Sequence, residues 1–223
     1  MTDPRIYVAC LASYNAGCLH GAWIDCEGKD ADDIQTEVNA MLRASPWPNV
    51  TVSCLDCGKH ADCADARASG IDMTERPGQR WQTNFWADGK GNCIKCETCN
   101  GSGEVPSAEE WAIHDHEGFG DLIGEYTSFT DVAKHAALIA EHGEAWIAYC
   151  DHVGEDYATE SDFQDAYNGQ WNSEKAFAEN LVDDLGMLRG IPETLQYYFD
   201  YDAFARDLFI NDYCYVDGYV FRR

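Results

Sequence analysis

Negative charge is spread so unevenly along these 223 residues that it governs what the chain can fold into. Forty Asp and Glu oppose fifteen Lys and Arg, for a formal net charge of −25. Between Glu104 and Asp217 stand 26 acids against only Lys134, Lys175, Arg189 and Arg206, whereas Cys54–Gly103 carries seven acids and six bases. Self-repulsion on this scale opposes compaction. A chain that tolerates it needs a strong apolar interior, and 45% hydrophobic residues with 13% aromatics provide one. A disordered acidic chain would be poor in aromatics. The expectation is a folded scaffold with an acidic face that either imitates a polyanion or binds something cationic. Its sign excludes direct nucleic-acid binding by that face, which would need a basic footprint. No apolar run approaches the roughly 20 residues of a membrane span. The opening Met-Thr-Asp-Pro-Arg has no basic start followed by an apolar core, so the expected location is the cytoplasm.

Hydrophobic periodicity divides the chain into strands and helices, an α+β pattern. Arg5–Leu11 and Gly21–Cys26 alternate as strands, and Glu110–His116 reads as a third that returns to the first sheet. Asp32–Leu42 places apolar residues at 34, 38, 41 and 42, the spacing of an amphipathic helix, with Asp30 or Asp32 available to cap it. Beyond Gly120 the pattern turns helical: Ser128–His142, Ala145–Tyr149, Asp162–Tyr167, Ser173–Leu185, Glu193–Tyr198 and Tyr201–Ile210. Tyr213–Phe221 alternates as a closing strand. On Ser173–Leu185 the acids Glu179 and Asp183 stand at i, i+4. Like charges at that spacing cost a few tenths of a kcal/mol each. Lys partners are nearly missing there.

Six of the eleven cysteines crowd into Cys54–Cys99 with overlapping C-x-x-C spacings. In a cytoplasmic setting this favours a metal over disulfides. Cys54, Cys57, Cys96 and Cys99 would supply four thiolates to a closed, tetrahedral structural Zn2+ site. Cys93 is an alternate through Cys93-Ile-Lys-Cys96, and Cys63 and His60 are spare candidates. Cys96–Gly103 also resembles the C-x-x-C-x-G-x-G repeat of DnaJ-type chaperones, a zinc-ribbon arrangement. The other five cysteines are scattered and read as small buried apolar residues.

Three separated blocks carry a further likeness: RIYVACLASYNAGCLHGAWIDC (Arg5–Cys26), EEWAIHDHEGF (Glu109–Phe119) and LVDDLGMLRGIPETLQYYFDYDAFARDLFINDYCYVDGYVFR (Leu181–Arg222). In this order they resemble the ArdA-type antirestriction proteins of mobile genetic elements. The resemblance covers about three quarters of the chain and omits the cysteine-rich insertion, which departs from the family pattern. It implies an elongated α+β chain of three small domains, the first of which is interrupted here by the zinc-ribbon-like insertion. Their expected bounds are residues 1–120 interrupted by 53–103, a small helical domain over 121–170, and a C-terminal α/β domain over 171–223. It also implies a homodimeric, non-enzymatic DNA mimic that occupies the DNA-binding groove of type I restriction–modification enzymes, at the methyltransferase core and specificity subunit. The family's antirestriction motif falls on Leu181–Arg189. The candidate mimic surface is Asp162, Asp165, Glu174, Glu179, Asp183, Asp184, Asp202 and Asp207. The candidate dimer contact is Phe204, Leu208, Phe209 and Ile210.

Other signals are weaker. His114-Asp115-His116 and Cys150-Asp151-His152 could suggest metal or acid–base chemistry, but surface or satisfied histidines are the plainer reading. No nucleophile elbow, metalloprotease helix, phosphate loop, dinucleotide fingerprint or calcium loop occurs. The competing function is a zinc-dependent acidic chaperone or binder of basic proteins. Acidity serving only salt tolerance fits poorly, because the charge balance is restored within Cys54–Gly103.

Overall fold

The computed structural model describes residues 3–54, 98–99 and 104–223, with backbone alone at 86–87 and 93–94. The chain falls into two compact units, one of residues 1–6, 25–32 and 115–223, the other of 7–24 and 33–114.

Strands β1 (Arg5–Cys10), β2 (Gly21–Asp25) and β7 (Trp111–Glu117) form a sheet in the order β2-β1-β7. The block around Glu110 does return to the first sheet. Being central, β1 buries Val8, Ala9 and Cys10 in succession, not alternately. A short helix α1 (Leu11–Asn15) takes Leu11 from the end of the expected first strand. Helix α2 (Ala31–Arg43) buries Ile34, Val38, Met41 and Leu42, the four positions expected from its period. Buried hydroxyls join the end of α2 to α1, with Ser13 Oγ 2.9 Å from Ser45 Oγ.

Strand β3 (Val50–Ser53) pairs antiparallel with β6 (Glu104–Ser107), from Val50↔Ser107 to Ser53↔Glu104. This ladder holds the two ends of the cysteine-rich segment side by side. Within that segment β4 (Trp86–Ala87) pairs antiparallel with β5 (Cys93–Ile94).

The first unit is mainly helical. Helix α3 (Phe129–His142) starts at Ser128, whose hydroxyl oxygen accepts the Asp131 N–H at 3.2 Å. Gly143, at φ 67°, separates it from α4 (Glu144–Val153), which runs past both ends of the expected Ala145–Tyr149. A 3-10 turn (Glu155–Tyr157) leads to α5 (Glu160–Ala166), capped by Thr159. Helix α6 (Glu174–Asp184) is capped by Ser173, α7 (Glu193–Gln196) follows Pro192, and α8 (Tyr201–Asn211) is capped by Asp200.

Two expectations are corrected here. Tyr167 leaves α5 and begins strand β8 (Tyr167–Gln170). Tyr213–Phe221 is no single strand but a hairpin of β9 (Tyr213–Val216) and β10 (Tyr219–Arg222), completing a sheet in the order β8-β10-β9. Asp217 and Gly218 turn the hairpin at φ 48° and 90°. Two successive positive φ values suit a right-twisted two-residue loop, and Asp-Gly is the pair that adopts them cheaply. Two aromatic clusters fill this unit. Trp146, Tyr149, Phe163 and Phe221 meet with ring centroids 5.3–6.1 Å apart. Phe177, Phe209 and Val220 form the other, beneath Trp171, Leu181, Leu208, Tyr213 and Tyr215.

Candidate functional site

The cores just described leave the acids nowhere to go but outward. Phe177, Ala178 and Val182 turn one face of α6 inward, and Ala205 and Phe209 do the same for α8. All eight candidate mimic residues are exposed: Asp162 and Asp165 on α5, Glu174, Glu179, Asp183 and Asp184 on α6, Asp202 and Asp207 on α8.

They are not electrostatically equivalent. Lys175 Nζ lies 2.9 Å from Asp202 Oδ2, and that hydrogen bond, reinforced by the charges of Asp202, Glu179 and Asp200, holds the ammonium above its ordinary pKa. One lysine thus serves several carboxylates. Arg206 Nε lies 3.5 Å from its neighbour Asp207. Asp162 and Asp165 line a groove of about 500 Å³ shared with Arg222 and Arg223. Glu174, Glu179, Asp183 and Asp184 have no ion-pair partner among the described residues. The sequence pattern could not separate these groups fully, because Lys175, Arg222 and Arg223 reach them from distant positions.

Asp183 and Asp184 occupy the last turn of α6, which contains no basic residue. Carboxylates there face the negative end of the helix dipole and are unfavourable. The helix stops abruptly at that point. Gly186, at φ 61°, donates its N–H to Asp183 O at 3.1 Å, and Met187 N–H reaches Val182 O at 3.0 Å. This pair of bonds is the left-handed glycine terminator. A Cβ at Gly186 would meet Arg189 Nε at 2.5 Å, so glycine also leaves room for Arg189 to fold back. At and beyond the helix end, Leu185, Met187, Ile191, Leu195, Tyr197 and Tyr198 are exposed, Tyr197 by 89%. This apolar run inside an acidic region was not anticipated.

The candidate dimer residues divide. Phe209 is buried against Phe177 and Val220, and Leu208 packs on the same cluster. Phe204 is half-buried against Phe199, with ring centroids 5.7 Å apart. Ile210 is exposed by 62%.

Of the metal candidates, Cys54 and Cys99 are described, and they pack together with Val105 in one buried cluster although 45 positions separate them. Cys57, His60, Cys63 and Cys96, and the side chain of Cys93, lie outside the described residues.

The two weaker motifs have ordinary surroundings. His114 stands edge-on to Tyr14 at 5.1 Å, and His116 edge-on to Phe119 at 6.4 Å. Cys150 is buried, and burial, followed by the charge of Glu155, pushes its thiol up to about 12. A thiol so shifted stays protonated and unreactive at neutral pH. Sequence reasoning missed His135, which is 2% exposed. Trp146 Nε1–H donates to His135 Nδ1 at 3.2 Å, while His135 Nε2 faces Glu155 Oε1 at 3.3 Å. Burial holds this imidazole below its usual pKa, against the opposing pull of Glu155.

The arrangement is that of an acidic, surface-acting protein: a compact aromatic interior with cation-poor helix faces turned outward. The family model of the antirestriction protein ArdA matches residues 6–221, nearly the whole chain. The chain belongs to the ArdA antirestriction protein family, and membership implies action against restriction–modification enzymes. A comparison with individual curated proteins gives no match. No helix among the described residues is long and apolar enough to cross a membrane.

Proposed function

We propose that this protein is a DNA mimic that occupies the DNA-binding groove of a type I restriction–modification enzyme, across its methyltransferase core and specificity subunit. The observation that carries this reading is the placement of Asp183 and Asp184. They sit exposed, without cation partners among the described residues, at the helix end where they least favour folding. Folding stability does not explain them, and a basic groove does. Duplex DNA carries one charge per roughly 1.7 Å, so the excess of 22 negative charges in Glu104–Asp217 could stand for about 37 Å of duplex. A homodimer of elongated, three-domain protomers would double that length, with Ile210 and the apolar run beyond Gly186 as the available contact surface. The buried Cys54–Cys99 pair supports a structural Zn2+ held with Cys57 and Cys96, making the insertion a metal-stapled module on the β3–β6 ladder.

The test is a titration of a purified type I methyltransferase with this protein in the presence of labelled DNA. DNA should be displaced stoichiometrically, and displacement should weaken as salt is raised. Failure to displace DNA, with equal binding to unrelated basic proteins, would favour an acidic chaperone instead.

A further inference from the structure

Glu141 and His142 end helix α3, and Glu160 opens helix α5. One ligand atom from each lies within 4.8 Å of the other two. His142 Nε2 is shut off from solvent and makes no hydrogen bond to any described residue. Its nearest charged neighbour, Glu160 Oε1, is 3.7 Å away, too far for a hydrogen bond. Two ligands of one tetrahedral cation with bonds of about 2.1 Å stand roughly 3.4 Å apart, close to the separation seen here. The His142 ring lies against the buried Phe163 with centroids 4.7 Å apart, and Gln164 Nε2–H donates to Glu160 Oε1 at 3.0 Å, which orients that carboxylate.

We propose that Glu141, His142 and Glu160 form a binding site for a divalent transition cation, one imidazole and two carboxylates with water completing the shell. That donor set suits Mn2+ or Zn2+ and does not compete for the soft thiolate preference of the cysteine segment. Glu141 and Glu160 are exposed, with Glu160 oriented by Gln164, whereas His142 is largely buried. The cation ties the end of α3 to the start of α5 and shortcuts the Gly143–Thr159 excursion between them. It also cancels two charges within the acidic region, so it acts on stability and on the density of negative charge together. The inference does not rest on the DNA-mimic reading.

The experiment uses the full chain, stripped with chelator and titrated with Mn2+, which avoids thiolates. Free Mn2+ is read by electron paramagnetic resonance and the His142 imidazole by proton NMR. The parent should bind one Mn2+ that survives raised salt and broadens the His142 resonance. His142→Gln and the surface variant Glu160→Gln should each weaken that binding by about tenfold or more while keeping the parent's circular dichroism. Equal binding by parent and both variants, or binding abolished by salt, would mean diffuse counterions only and would overturn the site.

Discussion

Helices α3 and α6 lie in the same unit, start from the same kind of cap, and treat charge in opposite ways. Ser128 and Ser173 each accept an N–H from the third residue beyond. Helix α3 then follows the dipole, with Asp131 in its first turn and His142 in its last. Helix α6 opens equally well with Glu174 but ends on Asp183 and Asp184 with no basic residue in its last turn. Glu141, in the last turn of α3, also opposes the dipole, but it stands beside His142. Asp183 and Asp184 gain nothing from the dipole of α6, and the proposed function gives them a use.

The strongest way to break this contrast is to remove the charge without touching the core. Replacing at least six of Asp162, Asp165, Glu174, Glu179, Asp183, Asp184, Asp202 and Asp207 by Asn or Gln should abolish competition with DNA on a type I methyltransferase. Melting followed by circular dichroism should show the fold retained. Inhibition equal to the parent's would sink the electrostatic reading, and so would complete loss from a single substitution.

A core change should behave in the opposite way. Phe209→Ala empties a site packed against Phe177 and Val220 and should cost about 3–5 kcal/mol in urea unfolding. Ile210→Glu, one residue on but exposed, should leave unfolding within about 0.5 kcal/mol of the parent. Size-exclusion chromatography of Ile210→Glu then tests the proposed dimer surface, which Phe209→Glu could not do without damaging the fold.

Helix α3 carries its own pH dependence through His135. Its pKa is lower in the folded chain than in the unfolded one, so the folded state prefers the neutral ring. The stability this contributes is complete above the free-imidazole value of about 6.5 and is lost as pH falls through the folded pKa. The slope from one proton cannot exceed about 1.4 kcal/mol per pH unit. His135→Gln should flatten that part of the stability profile, measured by urea unfolding between neutral and mildly acid pH.

The smallest effects address the comparison most directly. Asp183→Asn or Asp184→Asn should each stabilise the protein by about 0.3–1 kcal/mol, whereas Asp131→Asn in α3 should destabilise it by a similar amount. Differential scanning calorimetry would settle the signs. Destabilisation by all three would remove the argument that α6 ends on misplaced charges.

The elements that could be read in advance are those whose signal is local. The 34, 38, 41, 42 spacing of α2 and the acidic face of α6 each lie within a few residues. The elements missed are those whose reason is distant or ambiguous. Strands β3 and β6 are short, and each exists because the other pairs with it across fifty positions. The Asp217–Gly218 turn was legible, yet the alternation of apolar residues continues through it and hides the reversal. Phe209 and Ile210 are both apolar in sequence, and only the position of α8 over Phe177 makes one a core residue and the other a surface residue.

By itself the sequence determined the charge imbalance, the α+β pattern and the family likeness, because composition, periodicity and ordered motifs need no partner in space. Tertiary structure alone decided which acids remain free. Lys175 reaches Asp202 across 27 positions, and Arg222 and Arg223 line the groove of Asp162 and Asp165. Charge is a property of a residue, but neutralisation is a property of a pair, and pairs are made by the fold.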